Sequence, residues 1–331
     1  MKTYRHILVG VDFSPGSRAA LASAVRIAAA HDTPVTAMHV VDPKLAEAMK
    51  QAHHWSDLQL MDHIDKSILD FVANAGITHP KMSTELDVGQ PFPALIGARH
   101  RLDADLIVLG TRGSEHGPNQ IGTVAAKCMR KAPADVLLVR ENMGGPFQHI
   151  TVCVDLSETS AKAVTAARRV AERDGARLDC LLVCQSSLAL SMDYGGFVPP
   201  MSVADPQALA LWERELDTFL QPLMRTAPAS LPWTAFVKER ASVREAILEH
   251  MGQTKTDLVV LGIRGKTNLR TLLIGTTADK IVTHAPCSIL TVKPDGFEYP
   301  VEVRSAMPKA VEFTGEEIKE SVLPPATVPM A

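Results

Sequence analysis

The stretch richest in usable chemistry is Gly262-Ile263-Arg264-Gly265, nine further residues, and then Gly275-Thr276-Thr277. An apolar run over residues 257–261 precedes it, and a helical segment begins at its end. Glycines let backbone approach a bound group closely. Free N–H groups at a helix start attract phosphate. Residue types and spacing therefore point to a phosphate cradle. Arg264 and Lys266 could neutralise phosphate charge there, with solvated loop charges as a nearly equal alternative. Gly265-Lys266-Thr267 looks like the end of a Walker A loop, but that loop needs glycine five positions earlier, where Val260 stands. A nucleophile, a base and an orienting acid cannot be assembled from local sequence, so no catalytic residue is assigned.

Other reactive side chains read as structural. Cys180 and Cys184 lie in an apolar strand and are expected to be buried thiols. His53, His54 and His63 share a helical stretch with Asp57 and Asp62, where a solvated face is preferred over a metal site. Trp55, Trp212 and Trp233 are expected to be packing residues, without stacking neighbours that the sequence identifies.

Strands and helices must position the cradle, and they alternate. Short Val- and Ile-rich runs at 6–12, 35–41, 82–88, 105–109 and 136–139 read as buried strands, with helical segments at 18–30, 44–75, 93–100 and 123–131. The stretch 44–75 is either one helix or a helix broken near His53-His54-Trp55. The order then repeats. His6-Ile7-Leu8-Val9-Gly10-Val11-Asp12 parallels His149-Ile150-Thr151-Val152-Cys153-Val154-Asp155, and Asp105 to Gly113 parallels Asp257 to Gly265. Lys131-Ala132-Pro133 parallels His284-Ala285-Pro286. Alternating strands and helices imply a parallel α/β sheet, here two five-stranded Rossmann-like domains with helices on both faces. The boundaries expected are 1–141, 149–293 and a tail, 294–331, that is loosely ordered or wraps around the body. In the second copy strands are expected at 178–184 and 234–238, an irregular insertion at 185–203, and helices at about 205–225 and 243–251.

The glycine spacing, Asp155 at the end of the first strand, and the Ala285-Pro286 step before the last strand together resemble the universal stress protein family over residues 3–293. The resemblance implies a nucleotide-dependent stress-response protein that binds ATP with Mg²⁺ at the strand carboxyl ends and at most hydrolyses it slowly or phosphorylates itself. It implies that Asp155 contacts the nucleoside and Val183 packs on the adenine. Gly262 and Gly265 pass beneath ribose and phosphates, and Gly275, Thr276 and Thr277 donate to the phosphate chain. The first copy departs from the pattern: Gly113 and Gly122 enclose eight residues, Glu115 and Pro118 among them. An acid beside phosphate repels it, so Asp12, Val40, Gly110, Gly113, Gly122 and Thr123 form the weaker second site. The resemblance also implies that the two last strands pair inside the chain as a pseudo-dimer. An enzyme transferring adenylyl or phosphoryl groups, and a scaffold holding a lipid or other small molecule without nucleotide, remain alternatives.

Composition narrows the classes further. The chain has 331 residues, 46% hydrophobic and 21% charged, with formal net charge −3. That balance suits a globular protein and argues against nucleic-acid binding. No apolar run is long enough to cross a membrane. Five cysteines and an N-terminus that goes straight into a strand lead to an expected cytoplasmic setting. Association into a homodimer and unidentified protein partners are left open.

Overall fold

The computed structural model describes residues 4–112, 121–185, 206–263, 276–298 and 309–312. The first repeat runs β1 (Ile7–Val11), α1 (Pro15–Ala29), β2 (Val35–Val41), α2 (Pro43–His53), α3 (Asp57–Asn74), β3 (Met82–Val88), α4 (Pro91–Arg101), β4 (Leu106–Gly110), α5 (Thr123–Lys131) and β5 (Asp135–Val139). The second runs β6 (His149–Val154), α6 (Glu158–Asp174), β7 (Arg177–Gln185), α7 (Pro206–Met224), β8 (Trp233–Arg240), α8 (Val243–Thr254), β9 (Leu258–Gly262), α9 (Thr276–His284) and β10 (Ser288–Val292). A last strand, β11, spans Lys309–Glu312.

All described strands join one sheet, ordered β11-β3-β2-β1-β4-β5-β10-β9-β6-β7-β8. Pairing inside each repeat is parallel. Alternation along the strands feeds two cores. Ile7, Val9 and Val11 of β1 face one, with Leu21 of α1, Ile68 of α3 and Val164 of α6. Leu8 faces the other, with Ile96 of α4, Met129 of α5 and Met251 of α8. Both faces of the sheet are thus covered, as parallel sheets require.

The repeats meet through their last strands, as the sequence led us to expect. β5 and β10 pair antiparallel, with Ile289 opposite Leu138 and Thr291 opposite Val136. Two of the bonds across this seam form a reciprocal pair. Arg140 N–H donates to Ser288 Oγ at 3.2 Å, and Lys293 N–H donates to Asp135 Oδ1 at 2.9 Å. One offset of 153 residues relates the partners of both bonds (288 − 135 and 293 − 140). Arg130 of α5 also bonds Asp279 of α9 at 2.7 Å.

The Lys293 ammonium donates to the Met129 carbonyl in the last turn of α5 and lies 4.9 Å from the Phe297 ring centroid. Burial pushes it down to about 7, against the opposite pull of Asp135 and Cys128. In the unfolded chain the amine keeps its proton to about pH 10.4. Above pH 7 the folded state therefore binds fewer protons than the unfolded one, and stability rises with pH. The expected slope from pH 7 to 8.5 is at most about 1.4 kcal/mol per pH unit, read from denaturant midpoints, and Lys293→Met should remove it. Identical slopes in the two proteins would contradict the assignment.

The structure sharpens four expectations. The stretch 44–75 is two helices, because His54 closes α2 in the left-handed region (φ 53°) and Ser56 starts α3 with a reciprocal Ser56–Gln59 capping box. Trp55 has a stacking neighbour after all: the His53 ring stacks on it at 4.4 Å, and the His63 ring lies tilted against it at 4.7 Å. β8 extends through Lys238, Glu239 and Arg240, which keep backbone register with Val183, Cys184 and Gln185. In the tail, Lys309–Glu312 pairs antiparallel with Ser83–Leu86 of β3, so the chain returns from mid-sheet to the first repeat's outer edge. The rest of that tail, apart from 294–298, and the insertion at 186–203 lie outside the described residues.

On the side of the sheet where the strands begin, Asp179 of β7 is fully buried. It accepts from His149 Nε2 at 2.8 Å, His250 Nε2 at 3.1 Å and Arg177 Nε at 3.1 Å.

Candidate functional site

In the order β3-β2-β1-β4-β5 the chain leaves β1 toward β2 on one side and β4 lies on the other. Such a switch point opens a crevice at the carboxyl ends of the strands, where open α/β sheets bind ligands. β1 delivers Asp12 there. Phe13 follows in the left-handed region (φ 63°), and Ser14 caps α1 by accepting from Ser17 N–H at 3.1 Å. Asp12 Oδ1 accepts from Ser14 N–H at 3.1 Å and Ser14 Oγ at 2.6 Å, which fixes the carboxylate in place. The second repeat builds the same turn. Leu156 has φ 62°, and Asp155 Oδ1 accepts from Ser157 N–H at 3.0 Å. A bulky side chain at positive φ is uncommon, and both repeats hold one directly after the acid.

The opposite wall is the start of α5. Thr111 N–H donates to Val139 O and Gly122 N–H to Thr111 O, each at 2.9 Å, so both ends of the glycine loop are pinned to the sheet. Gly122 precedes the helix with extended backbone and supplies no side-chain cap. The first N–H groups of a helix have no partner within it, and among the described residues no capping side chain takes their place.

Between these walls lies a cavity of about 410 Å³. Met38, Val40, Leu95 and Leu109 make an apolar lining, while Asp12, His39, Arg112 and Thr123 bring polar groups to it. Pockets of this size and mixture suit small organic ligands. Of the residues expected in the first copy, Asp12, Val40, Gly110, Gly122 and Thr123 all line this one cavity. Gly113 lies outside the described residues. Sequence reasoning missed Gly10, His39 and Arg112. A usable signal existed for His39, one residue before Val40 at the end of an apolar strand.

In the second copy Asp155, Val183 and Gly262 stand at or just past the ends of β6, β7 and β9, adjacent strands in the corresponding order. Arg264, Gly265 and Gly275 lie outside the described residues, and Thr276 and Thr277 open α9. The strand-end glycines have a packing duty of their own. A Cβ on Gly110 would stand 2.7 Å from Gly16 C and 3.0 Å from Ser17 N, and one on Gly262 would stand 3.1 Å from Thr159 Cγ2. Each therefore lets its strand end touch the start of α1 or α6, whether or not a ligand is present.

Among the described residues no group of three or more His, Cys, Asp or Glu side chains could hold a metal ion. All five cysteines are free thiols. Burial pushes Cys180 up to about 12 and Cys184 up to about 11, with nearby carboxylates adding to the shift, so neither is a ready nucleophile or ligand. No helix among the described residues is long and apolar enough to cross a membrane.

Two doubly covered α/β units in tandem, with a ligand-sized crevice at a switch point, define the class. The model of the universal stress protein family matches residues 3–140 and again 146–293. The chain belongs to the universal stress protein family. It is 30% identical over 167 residues to a Staphylococcus aureus protein assigned by name to that family, a match covering 48% of this chain and 98% of that one. It is 41% identical over 59 residues to universal stress protein E of Photorhabdus laumondii, covering 18% of this chain and only 19% of that protein's length. Among solved structures, a universal stress protein from Archaeoglobus fulgidus aligns with 88% of this chain and 99% of its own at 15% identity and a TM-score of 0.58, a likeness of fold alone.

Proposed function

We propose that this chain is an ATP-binding stress-response protein whose nucleotide occupancy changes the surface offered to partners, rather than an enzyme. The observation that carries the reading is the crevice of the first repeat. A fixed carboxylate, Asp12, can accept from hydroxyl or amine groups, and the apolar lining can take a base. Arg112 and the uncapped start of α5 can take phosphate. Among the described residues Asp12 is the one carboxylate in that lining. Mg²⁺ would be held chiefly by phosphate oxygens and water, as this ion usually is. The second repeat, read as residues 149–293 beside a first repeat of 1–141, offers a matching frame in Asp155, Val183 and Gly262. There Arg264, Gly265, Gly275, Thr276 and Thr277 complete the proposed cradle. The crevice supports a working site in the first repeat as well, beyond the weak one that the shortened loop suggested. Free thiols support a reducing, cytoplasmic setting.

Native mass spectrometry and calorimetry with ATP and Mg²⁺ test this. Nucleotide should remain bound through gentle desorption. Asp12→Ala should weaken the first site, and Asp155→Ala the second, by about ten- to a hundredfold each, the range for a lost charged hydrogen bond. No binding up to millimolar ATP would overturn the proposal.

A further inference from the structure

The two repeats differ where their second strands reach the crevice. Backbone pairing sets Leu8 opposite Thr36 and Thr151 opposite Asp179, so one offset of 143 residues relates β1–β2 to β6–β7 (151 − 8 and 179 − 36). It puts Cys153 at the position of Gly10 and Leu182 at the position of His39. The first crevice thus has a floor without a side chain and an imidazole in its lining, where the second repeat carries a thiol and an aliphatic chain.

When neutral, His39 is held in one tautomer. Its Nδ1 lies 2.7 Å from Val11 O. A carbonyl only accepts, so Nδ1 carries the proton. The ring packs on Phe13 with centroids 4.5 Å apart, and Phe13 in turn meets Phe71 edge-on. Burial pushes the imidazole below its ordinary range, opposed by the bond to Val11 and the charge of Asp12. The neutral ring is thereby kept as the form with a lone pair on Nε2. Among the described residues no hydrogen bond is made to that atom. Among the described residues the charged groups around it are Asp12 at the end of β1, Arg18 of α1, 5.4 Å from the Phe71 centroid, and Arg112 across the β4 end of the same cavity.

We propose that His39 is a specificity-determining hydrogen-bond acceptor of the first crevice. It selects ligands that present a hydroxyl or amine donor beside Asp12, a demand that the second repeat, with Leu182, does not make. This rests on the nucleotide reading above. On a nucleotide the donor is either the ribose diol or the base amine, and both share this chemistry.

The test is calorimetry in an Asp155→Ala background, so that the first crevice reports. The ligands are ATP, 2′,3′-dideoxy-ATP and purine riboside triphosphate, which lacks the amine. With His39 present, one of the two analogues should bind about three- to tenfold more weakly than ATP. ATP itself should weaken by a similar factor from pH 7.5 to 5.5, beyond any change in His39→Leu. In the His39→Leu protein, which keeps Asp12, the disadvantage of that analogue against ATP should shrink by a similar factor. Leucine is the second repeat's own residue at this position, so the variant is expected to fold. Imidazole ¹⁵N NMR of the unsubstituted chain is an independent readout: the Nε2 resonance of His39 should shift when ATP binds. ATP binding with the same pH profile and analogue preference in His39→Leu, or an unmoved Nε2 resonance, would overturn the proposal while leaving the nucleotide reading intact. Absence of ATP binding in every protein would overturn both.

Discussion

Asp179→Ala is expected to destabilise the chain by about 3–5 kcal/mol, the range for removing one partner from a buried charged network. The carboxylate is fully buried, and three donors from β6, β7 and α8 converge on it. A carboxylate only accepts, so His149 and His250 must each present a protonated Nε2 to it. Alanine leaves those donors without an acceptor in a site that water does not reach. Burial raises the Asp179 pKa. The bonds from His250, His149 and Arg177, with the charge of His149, outweigh it and hold the group below the ordinary carboxylate range. For an acid so depressed, the stabilisation is complete above the unfolded value near 4 and is lost as pH falls through the folded value. Urea midpoints at pH 7 and at pH 3 check this: the gap between wild type and variant should be wide at pH 7 and narrow toward pH 3. A pH-independent gap would rule out the ionic account. Because Asp179 sits at the strand-start side of the sheet, nucleotide affinity should change little in whatever fraction stays folded.

Gly110→Ala should destabilise by about 3 kcal/mol, and Gly262→Ala by only about 1 kcal/mol, although the two glycines occupy equivalent strand ends. The difference lies in what the new methyl meets. At Gly110 it meets backbone at 2.7 and 3.0 Å, the first turn of α1, which cannot retreat without lifting the helix from the sheet. At Gly262 the nearest atom is a Thr159 side-chain methyl at 3.1 Å, with backbone at 3.3 Å, and a few tenths of an ångström of adjustment suffice. Denaturant titration of the two variants decides it. Equal losses would mean that helix contact does not explain the glycines. Gly110→Ala should also close part of the first crevice, so its nucleotide affinity should fall together with its stability.

Much of the fold was legible because its strands are buried on both faces and so appear as unbroken apolar runs. β2 and β3 have the bounds that their composition suggests, and α5 begins at Thr123, directly after an extended Gly122. The duplication was legible because the same Asp-x-Ser turn follows β1 and β6, with the same serine N–H donating to the aspartate. What escaped is what local pattern does not encode. Lys309-Ala310-Val311-Glu312 has too little apolar character to announce a strand, and it pairs on one side only, with β3. Glu239 and Arg240 lie past the expected strand end, yet their backbone still has a partner in β7. At the crevice, Asp12 and Gly122 stood out by type and spacing, whereas His39 acquires its meaning from a bond to Val11, 28 positions away. The placement of Trp55 between two histidines likewise depends on the left-handed residue that folds α2 back toward α3.

The antiparallel join of β5 to β10 has a consequence for how this protein can change. A two-fold dimer of identical subunits must use the same patch twice, and a substitution in one crevice appears in the other. Here both halves of the join are carried on one polypeptide, so association does not weaken on dilution, and each repeat mutates alone. The seam keeps its reciprocal bonds, Arg140 to Ser288 and Lys293 to Asp135, while Gly10 and His39 have parted from Cys153 and Leu182. Covalent linkage has separated the inheritance of the two pockets without separating the sheet that holds them.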